Sequence, residues 1–283
     1  MENIFEEVAA GARDRRGFLR KLTMAGAALA AGATALPGQT TPPADITDVD
    51  ILQFALNLEY LEAEFYTYAT TGVGIDQLAS VNGGANIDIT GSGTRGATTG
   101  GQMAFFFPSP VKVVAMELAF DEQAHVKLIR GALTAAGVTP VAKPAINLNA
   151  LNFGFAGERQ FLVLARIFED LGVTAYAGAA PLIQDKKILG TAAQILATEA
   201  EHAGNIRLMV AQYYLDTMAV DGADVLPPPS GKNYFSVDSN ALVKTRTPGQ
   251  VLYLAYGNKA SATSGGFFPN GVNGTIKTST ASA

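Results

Sequence analysis

The chain holds only two histidines, and each follows a glutamate by three residues: Glu122-Gln-Ala-His125 and Glu199-Ala-Glu-His202. Residues i and i+3 lie on one face of an α-helix, about 4.5 Å apart along its axis. Each pair can therefore turn a carboxylate and an imidazole toward one point. With 12 glutamates in 283 residues, that offset at both histidines is rare by chance. Two other segments each offer a glutamate with a tyrosine seven residues on, Glu59…Tyr66 and Glu169…Tyr176. Seven residues is nearly two helical turns, so tyrosine and glutamate again share a face. One scheme is thus written twice along the chain: Glu-x6-Tyr, then Glu-x-x-His. On helices, each of the four segments would carry its polar pair on one face.

Apolar periodicity supplies those helices. Ile51, Ala55, Leu58, Glu62, Phe65 and Ala69 recur at steps of three and four, behind a capping pattern Thr47-x-x-Asp50 and ahead of Gly72 as the stop. Ser109 as N-cap and Pro110 at the first helical position open a second helix, which runs to about Ala136 and ends at Gly137. A third runs from about Gly157 to Ala180, broken near Pro181. A fourth runs from about Lys187 to Met218. Residues 72–107, rich in Gly, Ser, Thr and Asn, read as a long surface connection with a short hairpin around Ile87-Asp-Ile89, and 138–156 as a second connection. Residues 227–283 are loop-rich, with one short helix starting at Thr247-Pro248-Gly249-Gln250. The expectation is an all-α four-helix bundle over 47–226, with long inter-helix loops and a C-terminal extension, 227–283, packing on it.

Composition narrows the functions. The net charge is −5, without a basic block, so nucleic acid is not an expected partner. The absence of cysteine excludes disulfides and thiolate-held metals. Asp14-Arg-Arg-Gly-Phe-Leu-Arg-Lys21 precedes a weakly apolar run, Leu22 to Leu36, containing Ala33-Thr34-Ala35. A charged region, a short apolar stretch and a small-residue cut define a secretory signal. Arg15 and Arg16 give it twin-arginine character. Residues 1–35 are therefore read as an export signal and 36–46 as a Pro/Thr-rich linker, with the mature protein in the periplasm or outside the cell. No apolar stretch reaches the roughly 20 residues needed for a membrane span.

One glutamate from each of two helices plus Glu-x-x-His from two others resembles the ligand set of ferritin-like dimetal carboxylate proteins, a known arrangement for metals held in a bundle core. Asn57-Leu-Glu59 with Tyr66 is similar to the first ferritin helix, and Asp121-Glu122-Gln-Ala-His125 to the second. More narrowly, Leu56-Asn-Leu-Glu-Tyr-Leu-Glu-Ala-Glu-Phe-Tyr66 and Gly265-Gly-Phe-Phe-Pro-Asn270 resemble exported bacterial ferritin-like domain proteins and the related plant desiccation-associated proteins. The resemblance implies that Glu122 and Glu199 bridge two metal ions. It further implies that His125 and His202 each bind one, and that Glu59 and Glu169 complete the shells. Glu62 shares a face with Glu59 and is its substitute. Tyr66 and Tyr176 are expected to pack beside the ligands and hydrogen-bond them, with a role as redox carriers the alternative. Glu64, Glu117 and Glu201 are expected in solvent or as hydrogen-bonding supports. Arg166 and Arg207 could pair with carboxylates.

An oxygen-rich site without thiolate suits two iron or manganese ions, and four carboxylates match two divalent charges. The expected function is a dimetal protein that oxidises metal or consumes O2 or peroxide. The alternative is a stress or structural scaffold without turnover. Self-association is left open, but the long insertion and tail would obstruct a hollow storage shell.

Overall fold

The computed structural model describes residues 46–282. The expected signal, 1–35, and the linker up to residue 45 lie outside the described residues. Four long helices carry the fold: α1 (Asp48–Thr71), α3 (Pro110–Ala135), α4 (Glu158–Ala179) and α5 (Lys186–Gln212). Two short ones, α2 (Ala79–Asn82) and α6 (Pro248–Ala255), lie in the connections and tail. Among the described residues, strands are limited to β1 (Thr98–Thr99) and β2 (Ile146–Asn147), so the protein is all-α. No described helix is long and apolar enough to cross a membrane.

The caps fall where local chemistry puts them. The Thr47 hydroxyl accepts from the Asp50 amide at 3.2 Å, and the Asp50 carboxylate accepts from the Thr47 amide at 2.9 Å, which starts α1. Gly72, at φ 82°, ends it. Thr247 and Gln250 close the same reciprocal pair at α6. Ser109 differs from expectation: its hydroxyl donates to Glu158 at 2.8 Å and so leaves the α3 amides uncapped by a side chain. Helix α5 also ends six residues before Met218. Tyr214 turns left-handed, and the Leu215 amide returns to the Val210 carbonyl at 3.0 Å, which buries Leu215.

Helix α1 packs along α3, and α4 along α5, with closer backbone approach inside each pair than between the pairs. The space between the pairs is filled by long side chains, and that is where the centre lies. One apolar core that includes Leu56, Phe65, Ile129, Phe161, Ala165 and Ile206 holds the helices together.

The connection 72–107 does not form a hairpin with itself. It runs parallel to 138–157, with β1 paired to β2 and bridges at Ser92–Val141 and Phe105–Gly157. Each loop satisfies the other's backbone groups, for example Ala142 N–H to Ser92 O at 2.8 Å and Gly96 N–H to Lys143 O at 2.9 Å. A Cβ at Gly96 would stand 2.3 Å from the Ala145 nitrogen, so the approach needs glycine. The tail is bound into the same surface through Asn273. Its amide donates to Asn57 Oδ1 at 2.9 Å, and its side chain donates to Ala142 O and Thr94 O at 2.8 and 2.9 Å.

Candidate metal centre

Midway along the four long helices, carboxyl groups, imidazoles and tyrosines gather on their packed faces, Tyr176 half-buried and the rest buried. Helix α1 supplies Glu59, Glu62 and Tyr66; α3 supplies Glu122 and His125; α4 supplies Glu169 and Tyr176; α5 supplies Glu199 and His202. Glu59, Glu122, Glu169 and Glu199 are at most 1% exposed, and His125 and His202 are 7% and 9% exposed. The side chains fall into two overlapping groups, each with one ligand atom per residue and all four atoms within 4.8 Å of one another. One is Glu59, Glu122, His125 and Glu199; the other is Glu122, Glu169, Glu199 and His202. Glu122 and Glu199 belong to both. The two imidazole centroids lie 6.4 Å apart.

Both imidazoles turn Nδ1 inward. His125 Nδ1 lies 3.1 Å from Glu122, 3.3 Å from Glu59 and 3.6 Å from Glu199. His202 Nδ1 lies 3.1 Å from Glu122 and 3.3 Å from Glu169. The tyrosines cross between the halves: Tyr66 of α1 donates to Glu169 of α4, and Tyr176 of α4 donates to Glu59 of α1. Each tyrosine thereby fixes the free carboxylate of the opposite helix.

Electrostatics follow from crowding acids in a dry interior. Burial, reinforced by neighbouring carboxylates, lifts Glu62 and Glu199 well above the ordinary carboxylate range. Burial also raises Glu122 to about 7, against the opposing pull of both imidazoles. Burial acts upward on Glu59 too, but His125 and the Tyr176 hydroxyl outweigh it and hold this group low. Burial pulls both imidazoles down, yet the surrounding carboxylates prevail and push His125 up to about 11 and His202 up to about 12. Burial and the adjacent carboxylates drive Tyr66 and Tyr176 well above the usual phenol value, so both stay protonated donors.

The donor set fits metal ions. Glu59 Oε2, Glu122 Oε1, Glu169 Oε2, both Glu199 oxygens and His202 Nδ1 are buried without a well-formed hydrogen bond; what they face is the same cluster, imidazole against carboxylate at 3.1–3.6 Å. Orphaned groups are rare in a folded interior and costly, carboxylates above all. All six belong to residues of the two groups above. Two divalent cations would satisfy them together and match the charge of four carboxylates, leaving Glu62 neutral.

The six ligand candidates meet, and Tyr66 and Tyr176 contact them. Glu62, the substitute for Glu59, is buried beside Glu199 and is in neither group of four. Glu117 and Glu201 are exposed. Glu64 departs from expectation: it is neither solvated nor a ligand support, but is 1% exposed and paired with Lys143 at 3.2 Å. The arginines bind carboxylates and loop carbonyls outside the centre, Arg207 joining α5 to Asp170 of α4 and to the carbonyls of Tyr234 and Asn233. Arg166 reaches Asp224 at 2.7 Å, and Arg207 reaches Asp170 at 2.7 Å.

Two participants escaped sequence reasoning. Asp121 accepts from His202 Nε2 at 3.1 Å, which leaves Nδ1 to face the interior. It adjoins Glu122 in the chain, but nothing local shows that it reaches across to α5. Gly172 stands where a Cβ would be 2.2 Å from Glu199 Oε2 and 3.4 Å from Glu62 Oε1. Its signal was a glycine in mid-helix, three residues after Glu169.

Comparison with known proteins agrees with this architecture. The ferritin-like catalase Nec2 of Nesocodon mauritianus is 25% identical over 280 residues, covering 82% of this chain and 85% of that protein. The desiccation-related protein PCC13-62 of Craterostigma plantagineum is 27% identical over 198 residues, covering 63% of this chain and 58% of that protein. The model of the ferritin-like domain family matches residues 47–212, which span all four long helices and every candidate ligand. The chain belongs to the ferritin-like domain family.

Proposed function

We propose that the protein is an exported dimetal carboxylate protein that consumes peroxide or O2 at two iron or manganese ions. The observation that carries this reading is the set of buried atoms from four helices without a well-formed hydrogen bond, with Glu122 and Glu199 common to both groups. Glu122 and Glu199 would bridge the ions, Glu59 with His125 would complete one shell, and Glu169 with His202 the other. The metals would supply redox equivalents and Lewis acidity.

The protein's own groups set the conditions for that chemistry. Tyr66 and Tyr176 hold Glu169 and Glu59 in place, and each keeps its proton. Asp121 orients His202. The bundle excludes bulk water, so charges in the interior act at low dielectric. Among peroxide, O2 and metal oxidation, the name of the ferritin-like catalase relative favours peroxide. Export rests on the charged, twin-arginine-type segment before residue 36.

Metal analysis of the natively purified protein should give about two iron or manganese per chain. Peroxide and O2 consumption should fall to background in a Glu122→Ala/His125→Ala variant. Equal rates in the two proteins would remove the enzyme reading. The alternative, a metal-stabilised scaffold without turnover, would then stand if metal raises the melting temperature. The N-terminal sequence of the exported protein tests the signal, with cleavage expected near residue 35.

A further inference from the structure

The two halves of the bundle correspond position by position. Glu59 matches Glu169, Tyr66 matches Tyr176, Glu122 matches Glu199 and His125 matches His202. The ends beyond the centre are filled differently. Around Tyr66, Phe65 stacks on Phe161 with centroids 5.4 Å apart and meets Phe168 at 5.0 Å. Around Tyr176 the matching positions are Ala175, Ile51 and Leu58, and Met209 of α5 is matched by Ala132 of α3. Four smaller side chains leave a cavity of about 250 Å³, lined by all four long helices.

The cavity walls are apolar apart from Tyr176, Lys187 and Thr191. The Tyr176 hydroxyl is already given to Glu59, so the wall touches the centre. Ala55, Ile129 and Ile195 line the cavity one helical turn from Glu59, His125 and Glu199 respectively. At the other end, Leu128, Ala132 and Lys187 are exposed, which places the mouth between α3 and α5. A larger groove of about 1000 Å³ runs over the outside of α1 and α4, but no residue lining it hydrogen-bonds to the centre.

We propose that this cavity is a binding site for a neutral apolar molecule beside the Glu59, His125 and Glu199 group. That it serves the metals rests on the dimetal reading above; that it binds does not. Water or peroxide needs two to four polar partners, but Tyr176 and Thr191 already donate their hydroxyls to Glu59 and to Lys187 O, and Lys187 lies at the exposed mouth; apolar cavities of about 150 Å³ stay dry and take up xenon or benzene. The present volume admits dioxygen at one extreme and a substituted benzene at the other.

The test uses the full chain, with metal content recorded in parallel. Xenon is followed by 129Xe NMR, and toluene by calorimetric titration. Saturable binding at one site is expected. Ala175→Phe, which copies Phe65 of the filled end, should weaken it at least tenfold with unchanged metal content. Ala132→Met, at the exposed mouth, should weaken it too and carries the test if the first variant does not fold. Xenon binding alone supports a site for a gas, and toluene binding as well supports a hydrocarbon site. Saturable binding by a protein that takes up no iron or manganese even on anaerobic reconstitution would sink the dimetal reading and leave the cavity proposal standing. No saturable binding of either probe, or binding undiminished in both variants, overturns it.

Discussion

Gly172→Ala separates the position of one carboxylate from the integrity of the fold. The new Cβ would stand 2.2 Å from Glu199 Oε2. A carbon and an oxygen rest at about 3.3 Å or more in ordinary contact. The carboxylate must therefore retreat by about 1 Å, while metal–ligand distances hold to about 0.2 Å. It sits at the end of a flexible side chain, so the backbone can stay in place. In a mid-helix position Ala is favoured over Gly by about 1 kcal/mol. For a domain of this size that is about 2–4 °C of melting temperature, so the metal-free variant should melt no lower than its parent. Metal binding should suffer. Losing an outer support typically lowers affinity about 10–100-fold, and displacing a proposed bridging ligand should reach at least the upper figure, about 2.7 kcal/mol. Competition titration with a chelator, alongside thermal unfolding of the metal-free form, measures both. Parent affinity and stoichiometry in a folded Gly172→Ala variant would refute Glu199 as a shared ligand.

Three further outcomes are expected. Tyr66→Phe removes the donor to Glu169 and should lower metal affinity about 10–100-fold, with Tyr176→Phe acting alike through Glu59; an unchanged titration would show the crossed hydrogen bonds to be idle. Near neutral pH, His125 and His202 carry protons in the metal-free protein, since the carboxylates around them hold their pKa values at about 11 and about 12. Ligation needs neutral imidazole, so metal uptake should release protons and affinity should fall as pH falls. Calorimetry in buffers of different ionisation enthalpy measures this, and no net release would contradict the assignment of the histidines. Lys143→Met strands the Glu64 carboxylate in the interior and should cost about 3–5 kcal/mol in urea unfolding. Adding Glu64→Gln should restore part of it, and a loss under about 1 kcal/mol would place the Lys143–Glu64 pair among surface ion pairs.

Whatever repeats within one or two helical turns was legible in the chain itself. Glu-x-x-His, Glu-x6-Tyr, the Thr47 and Thr247 caps and the Gly72 stop are local patterns, and helix geometry converts each into a direction without knowledge of the rest of the molecule. That the four faces meet in one acidic interior came from the resemblance to ferritin-like proteins, not from the spacing itself. What remained hidden depends on residues brought together across the chain. Tyr66 reaching Glu169 rather than its own Glu59, Asp121 orienting His202, and Lys143 meeting Glu64 all require the axial register and rotation of packed helices and loops. Those are set by many weak contacts summed over a whole interface, not by any short run of residues. The connections 72–107 and 138–157 likewise reveal their pairing only when both are in place, because each supplies the hydrogen bonds the other lacks. The chain chose the chemistry of the interior; packing decided which groups touch.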